Sequence, residues 1–250
     1  MERTNPHSAT STISVLAAWT AIAASGAALA LLLSLHVLSP EYSPAWRMIS
    51  EYANGQYGWV LSLMFIAYGA GSLTLAIAIA SSLKTRRGKV CPGLALLVLS
   101  GIAQASAAQF DLNQAALHEL AGVVGILFLP LAAMLISPSL AATGARAGAK
   151  KLILLASNLT WISVVLWVAS FALMIVTFLY AFGGLPTTPP EELPAGVIAM
   201  VGWTNRLMVL SAWCWVSIVA WHVIMLRSRT RHTSQDTYVG TSARQGIAGG

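Results

Sequence analysis

The side chains able to do chemistry in this 250-residue chain are few and gather in four short segments. His36 stands near the end of the first long apolar stretch, and Arg47, Ser50, Glu51 and Tyr52 follow in one polar loop. Ser100, Gln104 and Asp111 recur at spacings of four and seven, which is one face of a helix, and His118 comes seven residues later with Glu119 beside it. Trp203, Asn205 and Arg206 open the last apolar stretch. Three kinds of chemistry fit these residues. Asp111, His118 and His36, with Ser50 nearby, are the residue types of a metal-dependent or acid–base hydrolase. His36 and His118, on separate helices at a similar depth, are the pattern of axial haem ligands. Arg206 near a carboxylate (Asp111, Glu119 or Glu51) suits a lipid headgroup, and the arginine is expected to pair with one of them.

The alternatives are unequal. A metallohydrolase commonly shows a His-x-x-x-His or comparable pair, and there is none; Asp111 and His118 are the only metal candidates. A haem protein moving electrons across a membrane needs a second histidine pair at the other face, which is also missing. A transporter needs a polar path, for which the far half offers only Asn158 and His222. Plainer roles exist too: Glu41 and Glu119 as helix-mouth carboxylates, Arg206 reaching to headgroups, His36 as an interfacial hydrogen-bonder, His222 as structural. These leave unexplained why His36, Glu51, Asp111, His118 and Arg206 fall at one level on separate segments. The favoured expectation is a non-catalytic protein binding a lipid or small apolar ligand in a polar cleft, without a cofactor. Its candidate binding residues are His36, Arg47, Ser50, Glu51, Tyr52, Gln104, Asp111, His118, Asn205 and Arg206; no catalytic residue is assigned.

The elements that must hold these residues follow from composition. The chain is 57% hydrophobic and 9% charged, with mean hydropathy +0.73. Soluble domains carry roughly 25% charged residues, so a water-soluble globule is excluded, and so is disorder. A membrane-crossing helix needs about 20 apolar residues. Six stretches qualify, at about 13–38, 59–83, 90–108, 120–136, 152–182 and 197–226. The chain is thus expected to be all-α, a six-helix up-and-down bundle over 13–226, with a short segment 1–12 before it and a basic, disordered tail 227–250. The first span reads as an uncleaved anchor, its apolar run being too long for a signal peptide. Pro130 is expected to bend the fourth span.

Charge orients the bundle. Twelve of the 14 Lys and Arg residues fall on the N-terminus, the second and fourth connectors and the tail. That side is expected to be cytoplasmic, with both termini inside a multi-pass protein of the cell membrane. Only Arg47 and Arg206 remain for the outer side, giving +10 inside against −4 outside. A pI near 9.7 therefore speaks of topology and anionic lipid, not of nucleic acid. Arg206 lies 21 residues before Arg227, about 31 Å of helix, so it belongs near the outer boundary and the run Val197 to Met200 must tilt, bend or lie flat. Trp59, Trp203 and Trp221 fit an aromatic belt. Gly58-Trp59-x-x-x-Leu63-Met64 and Gly202-Trp203-x-x-x-Leu207-Met208 match at four positions, too few to establish a repeat. Two cysteines, Cys91 and Cys214, make neither a disulfide framework nor a zinc site.

Several of these residues resemble the signature of a known family. His36-Val-Leu-Ser-Pro40-Glu-Tyr-Ser-Pro44, then Ile49-Ser50-Glu51-Tyr52, then Gly55-x-x-Gly58-Trp59, resemble the first-loop signature of the domain of unknown function 998 family. Asp111 followed by His118 resembles its Phe-Pro-Thr-Asp…His segment, here reading Ala108-Gln109-Phe110-Asp111. Gly202-x-x-Asn205-Arg206, with Trp213 or Trp215 beyond, resembles its Gly-Leu-x-Gln-Arg…Trp segment, with Asn for Gln. The resemblance implies a prokaryotic membrane protein of about six helices and no established activity.

Overall fold

Where water is absent, a chain this apolar can satisfy its backbone within each segment only as a helix, and that is what forms. The computed structural model describes residues 6–82, 88–110, 114–143, 147–184, 190 and 192–247. Six α-helices run in chain order: α1 (Pro6–Leu38), α2 (Gly58–Ser82), α3 (Val90–Ser106), α4 (Ala115–Ala142), α5 (Ala147–Phe182) and α6 (Val201–Ile247). A short 3₁₀ helix, Ile49–Asn54, lies between α1 and α2. There is no strand among the described residues. The molecule is an all-α, polytopic membrane protein: five helices are long and apolar enough to cross a bilayer, and α3, with 17 residues, is shorter.

Each helix packs on its chain neighbours, and α1 closes the ring against α6. Helix α6 is the hub, also touching α2; 67% of its apolar window is buried, against 17% for α5. Burial on α5 is confined to Ile153, Ala156, Ser157, Thr160 and Ser163, so residues 164–182 hold no buried side chain.

The helices meet through small residues and hydroxyls, as helices in lipid must. At the α2–α3 crossing a Cβ on Gly69 would stand 2.5 Å from the Gly101 carbonyl oxygen. Ser72 donates to Gln104 (2.9 Å), whose amide donates to Ser100 (2.9 Å), whose hydroxyl donates to the Gly125 carbonyl (2.9 Å), stitching α2, α3 and α4 together. Trp215 Nε1 donates to Ser137 (2.9 Å) between α6 and α4, and Ser163 meets Ser211 (2.8 Å) between α5 and α6. At the end of the bundle that holds the start of α1, Ser14 bonds Ser82 (2.6 Å) and Arg227 donates to the Ser81 carbonyl. The opposite end carries the α1–α2 loop.

The bounds of α4 and α6 differ from expectation. Helix α4 is longer than 120–136, running unbroken through Pro130 and Pro138. Helix α6 starts at Val201 rather than 197, because Gly196 (φ +88°) turns the chain and Val197–Met200 is not helical, with Ile198 N–H on Thr177 Oγ1 (3.1 Å). At its other end α6 continues as helix past the apolar stretch, to Ile247.

Gly69→Leu should overpack the α2–α3 crossing and destabilise the bundle by about 1–3 kcal/mol. A thermal melt of the purified protein in detergent reads this as a lowered midpoint, whereas Gly26→Leu, with nothing near its Cβ, should leave it unchanged.

Candidate functional site

The loop between α1 and α2, residues 39–57, is bent over the end of the bundle and fastened to the first turns of α6. Close approach is possible because residue 202 has no side chain: a Cβ there would stand 2.3 Å from the Pro44 carbonyl oxygen and 2.7 Å from that of Arg47. Gly202 N–H donates to the Ala45 carbonyl (3.1 Å). One turn on, Asn205 Oδ1 accepts the Ile49 N–H (3.0 Å), which starts the 3₁₀ helix.

Arg206 completes the fastening. Its side chain is 4% exposed and makes four hydrogen bonds: Nε to His36 Nε2 (2.8 Å), one terminal nitrogen to the carbonyls of Arg47 (2.8 Å) and Gly202 (3.0 Å), the other to the Tyr52 hydroxyl (3.2 Å). The planar guanidinium fork thus ties α1, the loop and α6 at one point. The expected carboxylate partner is not among these contacts: neither Glu51 nor Glu119 pairs with Arg206, and Asp111 lies outside the described residues. Glu51 is engaged elsewhere. It accepts from Arg47 (2.7 Å) through one oxygen and from the Met48 N–H (2.7 Å) through the other, closing the start of the 3₁₀ helix. Arg47 also donates to the Pro190 carbonyl, reaching the α5–α6 loop.

The partners of His36 set its tautomer. Nδ1 lies 2.7 Å from the Leu32 carbonyl, an acceptor only, so Nδ1 carries the proton and Nε2 presents its lone pair to Arg206. No lone pair is left on His36 to bind a metal or a haem iron. Among the described residues no group of three His, Cys, Asp or Glu gathers. Tyr52 is fully buried under the loop, its hydroxyl donating to the Tyr42 carbonyl (3.4 Å) and its ring 5.2 Å from that of Tyr42. The Tyr42 phenol is raised above its ordinary value, by burial first and then by Glu41 and Glu51, with Arg47 opposing.

Beneath the loop lies a cleft with about 810 Å³ of free space, its open part included. Met48, Ile49 and Ser50 of the loop roof it; Gly122, Ile126 and Leu129 of α4 and Met208, Val209 and Ala212 of α6 form walls. Gln104, Tyr68, Thr160 and Trp167 also line it. His118 and Asn205 stand at its rim side, and Arg206, His36 and Glu51 do not line it at all. Its enclosed part, about 130 Å³, is smaller than the roughly 300–1,000 Å³ of typical ligand pockets, but it is like them in being apolar with a few polar groups.

The sequence profile of a family described as "Protein of unknown function (DUF998)" matches residues 22–222. The chain belongs to the DUF998 family. No curated protein and no solved structure matches it.

The DUF998 signature now has a physical content. Its first-loop part and its Gly-x-x-Asn-Arg part are the two halves of one joint, the loop and the helix turn that holds it. Gly58 acts as Gly202 does: a Cβ there would stand 2.8 Å from the Ala53 carbonyl oxygen, and the tryptophans after both glycines, Trp59 and Trp203, face outward. Of the ten candidate residues, His36, Arg47, Glu51, Tyr52 and Arg206 form the joint, while Ser50, Gln104, His118 and Asn205 line the cleft. Asn205 serves both. Gln104 is tied into the stitching of α2, α3 and α4, and Gly125 on the His118 face accommodates it, a Cβ there lying 3.2 Å from its Cγ. Among the cleft residues that sequence reasoning missed are Tyr68, Thr160 and Trp167; Ser72 one turn after Tyr68, and Ser157 and Ser163 on either side of Thr160, are the periodic signal that could have marked them.

Gly202→Ala should push the loop off α6, and Arg206→Lys should leave buried acceptors unpaired at about 1–3 kcal/mol each. Both should make the loop cleavable by chymotrypsin at its aromatic residues and lower the melting midpoint. Because both act on the same joint, the double variant should cost less than the two separate losses together.

Proposed function

We propose that this DUF998 member is a non-catalytic, six-span protein of the cell membrane that holds a lipid or small apolar ligand in the cleft beneath its α1–α2 loop. The observation that carries this is the cleft itself: an open-sided hollow with about 130 Å³ of enclosed space, walled by apolar side chains of several helices inside a membrane protein. The joint then has a positional role, holding Met48, Ile49 and Ser50 as a roof. Access from the membrane is the corollary. Helix α5 has no fully buried side chain between residues 164 and 182, which supports entry alongside that stretch of the helix.

Helix α3 serves as the sixth span. Its 17 residues rise about 26 Å, close to the roughly 30 Å of hydrocarbon, and the turn Ala107–Gln109 extends it. The loop end is placed outward by the asymmetry of basic residues, with both termini cytoplasmic.

Gly122 provides the test. It lines the cleft, and a Cβ there meets nothing within 4 Å, so a larger side chain fills ligand space without straining the fold. Lipid extracted from purified wild-type protein and weighed by mass spectrometry should show one species near one per chain. Gly122→Phe should lose it with an unchanged melting midpoint. Equal retention by both proteins would overturn the reading. For orientation, a cysteine replacing Ser50 should be labelled by a membrane-impermeant maleimide from outside intact cells once the roof is loosened by Gly202→Ala; labelling only after lysis would reverse the topology.

A further inference from the structure

We propose, on the footing that the cleft is a lipid site, that its occupant carries an uncharged hydroxyl head: a long-chain alcohol or a neutral lipid bearing a free hydroxyl. The lining settles the charge first. Among the described residues that line the cleft there is no Lys, Arg, Asp or Glu. The one cation nearby, Arg206, is spent on His36, Tyr52 and two carbonyls, and Arg47 and Glu51 pair with each other outside the lining. A phosphate, carboxylate or ammonium head would be buried without a counter-charge, which costs several kcal/mol.

The hydrogen-bonding groups then settle the chemistry of the head. His118 Nδ1 lies 2.9 Å from the Phe110 carbonyl. A carbonyl accepts only, so the neutral ring carries its proton on Nδ1 and turns an unused lone pair at Nε2 to the cleft. Asn205 supplies the opposite function, because its carbonyl oxygen holds the Ile49 N–H while its amide N–H groups have no protein acceptor, and it lines the same space. The Tyr68 and Ser50 hydroxyls line it too, whereas the Trp167 indole Nε1–H, without a partner, is sealed in the packing. The cleft therefore offers one acceptor, one amide donor and two hydroxyls. A hydroxyl is the common head group that both gives a proton to the acceptor and takes one from the donors. An ester or a carboxylate can only accept, and leaves His118 unanswered. Each buried polar group left unpaired costs about 1–3 kcal/mol, so matching them is the gain that selects the head.

Three probes of one chain length separate the possibilities: oleyl alcohol, oleate and octadecene, bound to the purified full-length protein in detergent at about pH 8. The alcohol should bind about tenfold more tightly than octadecene, the worth of roughly one net hydrogen bond, and more tightly than oleate. Tyr68→Phe, which keeps the ring and removes the hydroxyl, should cost the alcohol about tenfold and octadecene nothing; His118→Phe should do the same. Oleate binding as well as the alcohol, or an alcohol affinity indifferent to both substitutions, would overturn the hydroxyl head. If all three probes bind alike and Gly122→Phe abolishes them, the cleft stands as a site for chains without head selection. If no probe binds, or Gly122→Phe changes nothing, the cleft reading falls with the proposal.

Discussion

A guanidinium almost sealed from solvent and held only by neutral acceptors is the contact on which this arrangement rests. Burying Arg206 is unfavourable unless its donors are matched, and the surrounding chain supplies a match from three elements: the imidazole of His36 at the end of α1, two carbonyls and a phenol, of which Arg47 and Tyr52 belong to the loop. Hydrogen bonds to a charged group are worth roughly 1.5–3 kcal/mol each, about twice a neutral bond, so the two that reach the loop, at Arg47 and Tyr52, reinforce the packing of Ile49 and Tyr52 into the core. No carboxylate touches Arg206, because the Glu51 of the joint is paired with Arg47, and it is the missing side chain at Gly202 that lets the loop backbone come close enough to answer the guanidinium.

From that joint follows the shape of the cleft. Because the loop is fixed to α6 and not to α4, it covers the end of the bundle while α4 and α6 scarcely touch. Toward the N-terminal end of α1, Ile153, Ala156, Ser157 and Thr160 of α5 pack inward, while the later length of the helix is only partly buried. On the proposed reading, an apolar molecule arriving from hydrocarbon needs no gate. It needs only helices that do not pack along their full length, and α5 is the least buried of the five long helices.

Class and span positions were legible in the sequence because hydropathy reports directly on helices in lipid: α2 begins and ends within one residue of its apolar run, and α1 and α5 end where theirs do. The start of α1 and the ends of α4 and α6 were not. Pro130 reads as a bend, and the helix continues through it and through Pro138, a helix in lipid having no water to take up freed carbonyls. Val197 to Met200 reads as apolar span, but a glycine with positive φ, which only the backbone conformation reveals, precedes it. For the site, spacing located the polar residues and could not divide them. His36, Glu51, His118 and Arg206 share one level, so a sequence places them together. What separates joint from cleft is which of their atoms already have partners: Arg206 has four, and His118 has one.

That division, between polar groups already satisfied and those left open, is also what gives the cleft a chemical character of its own. Ser72, Gln104 and Ser100 are in the membrane interior and polar, but they answer one another and the Gly125 carbonyl, so they serve to fix helices and offer a ligand little. His118 and Asn205 were each given one constraint by the protein, respectively a carbonyl and a backbone N–H, and each keeps a second function unused in a side chain that lines the cleft. In lipid an open donor or acceptor is costly in a way it would not be beside water, since no solvent stands in while the site is empty. On the proposed reading, these unanswered atoms, more than the conspicuous charges of the loop, are what a ligand in the cleft would answer.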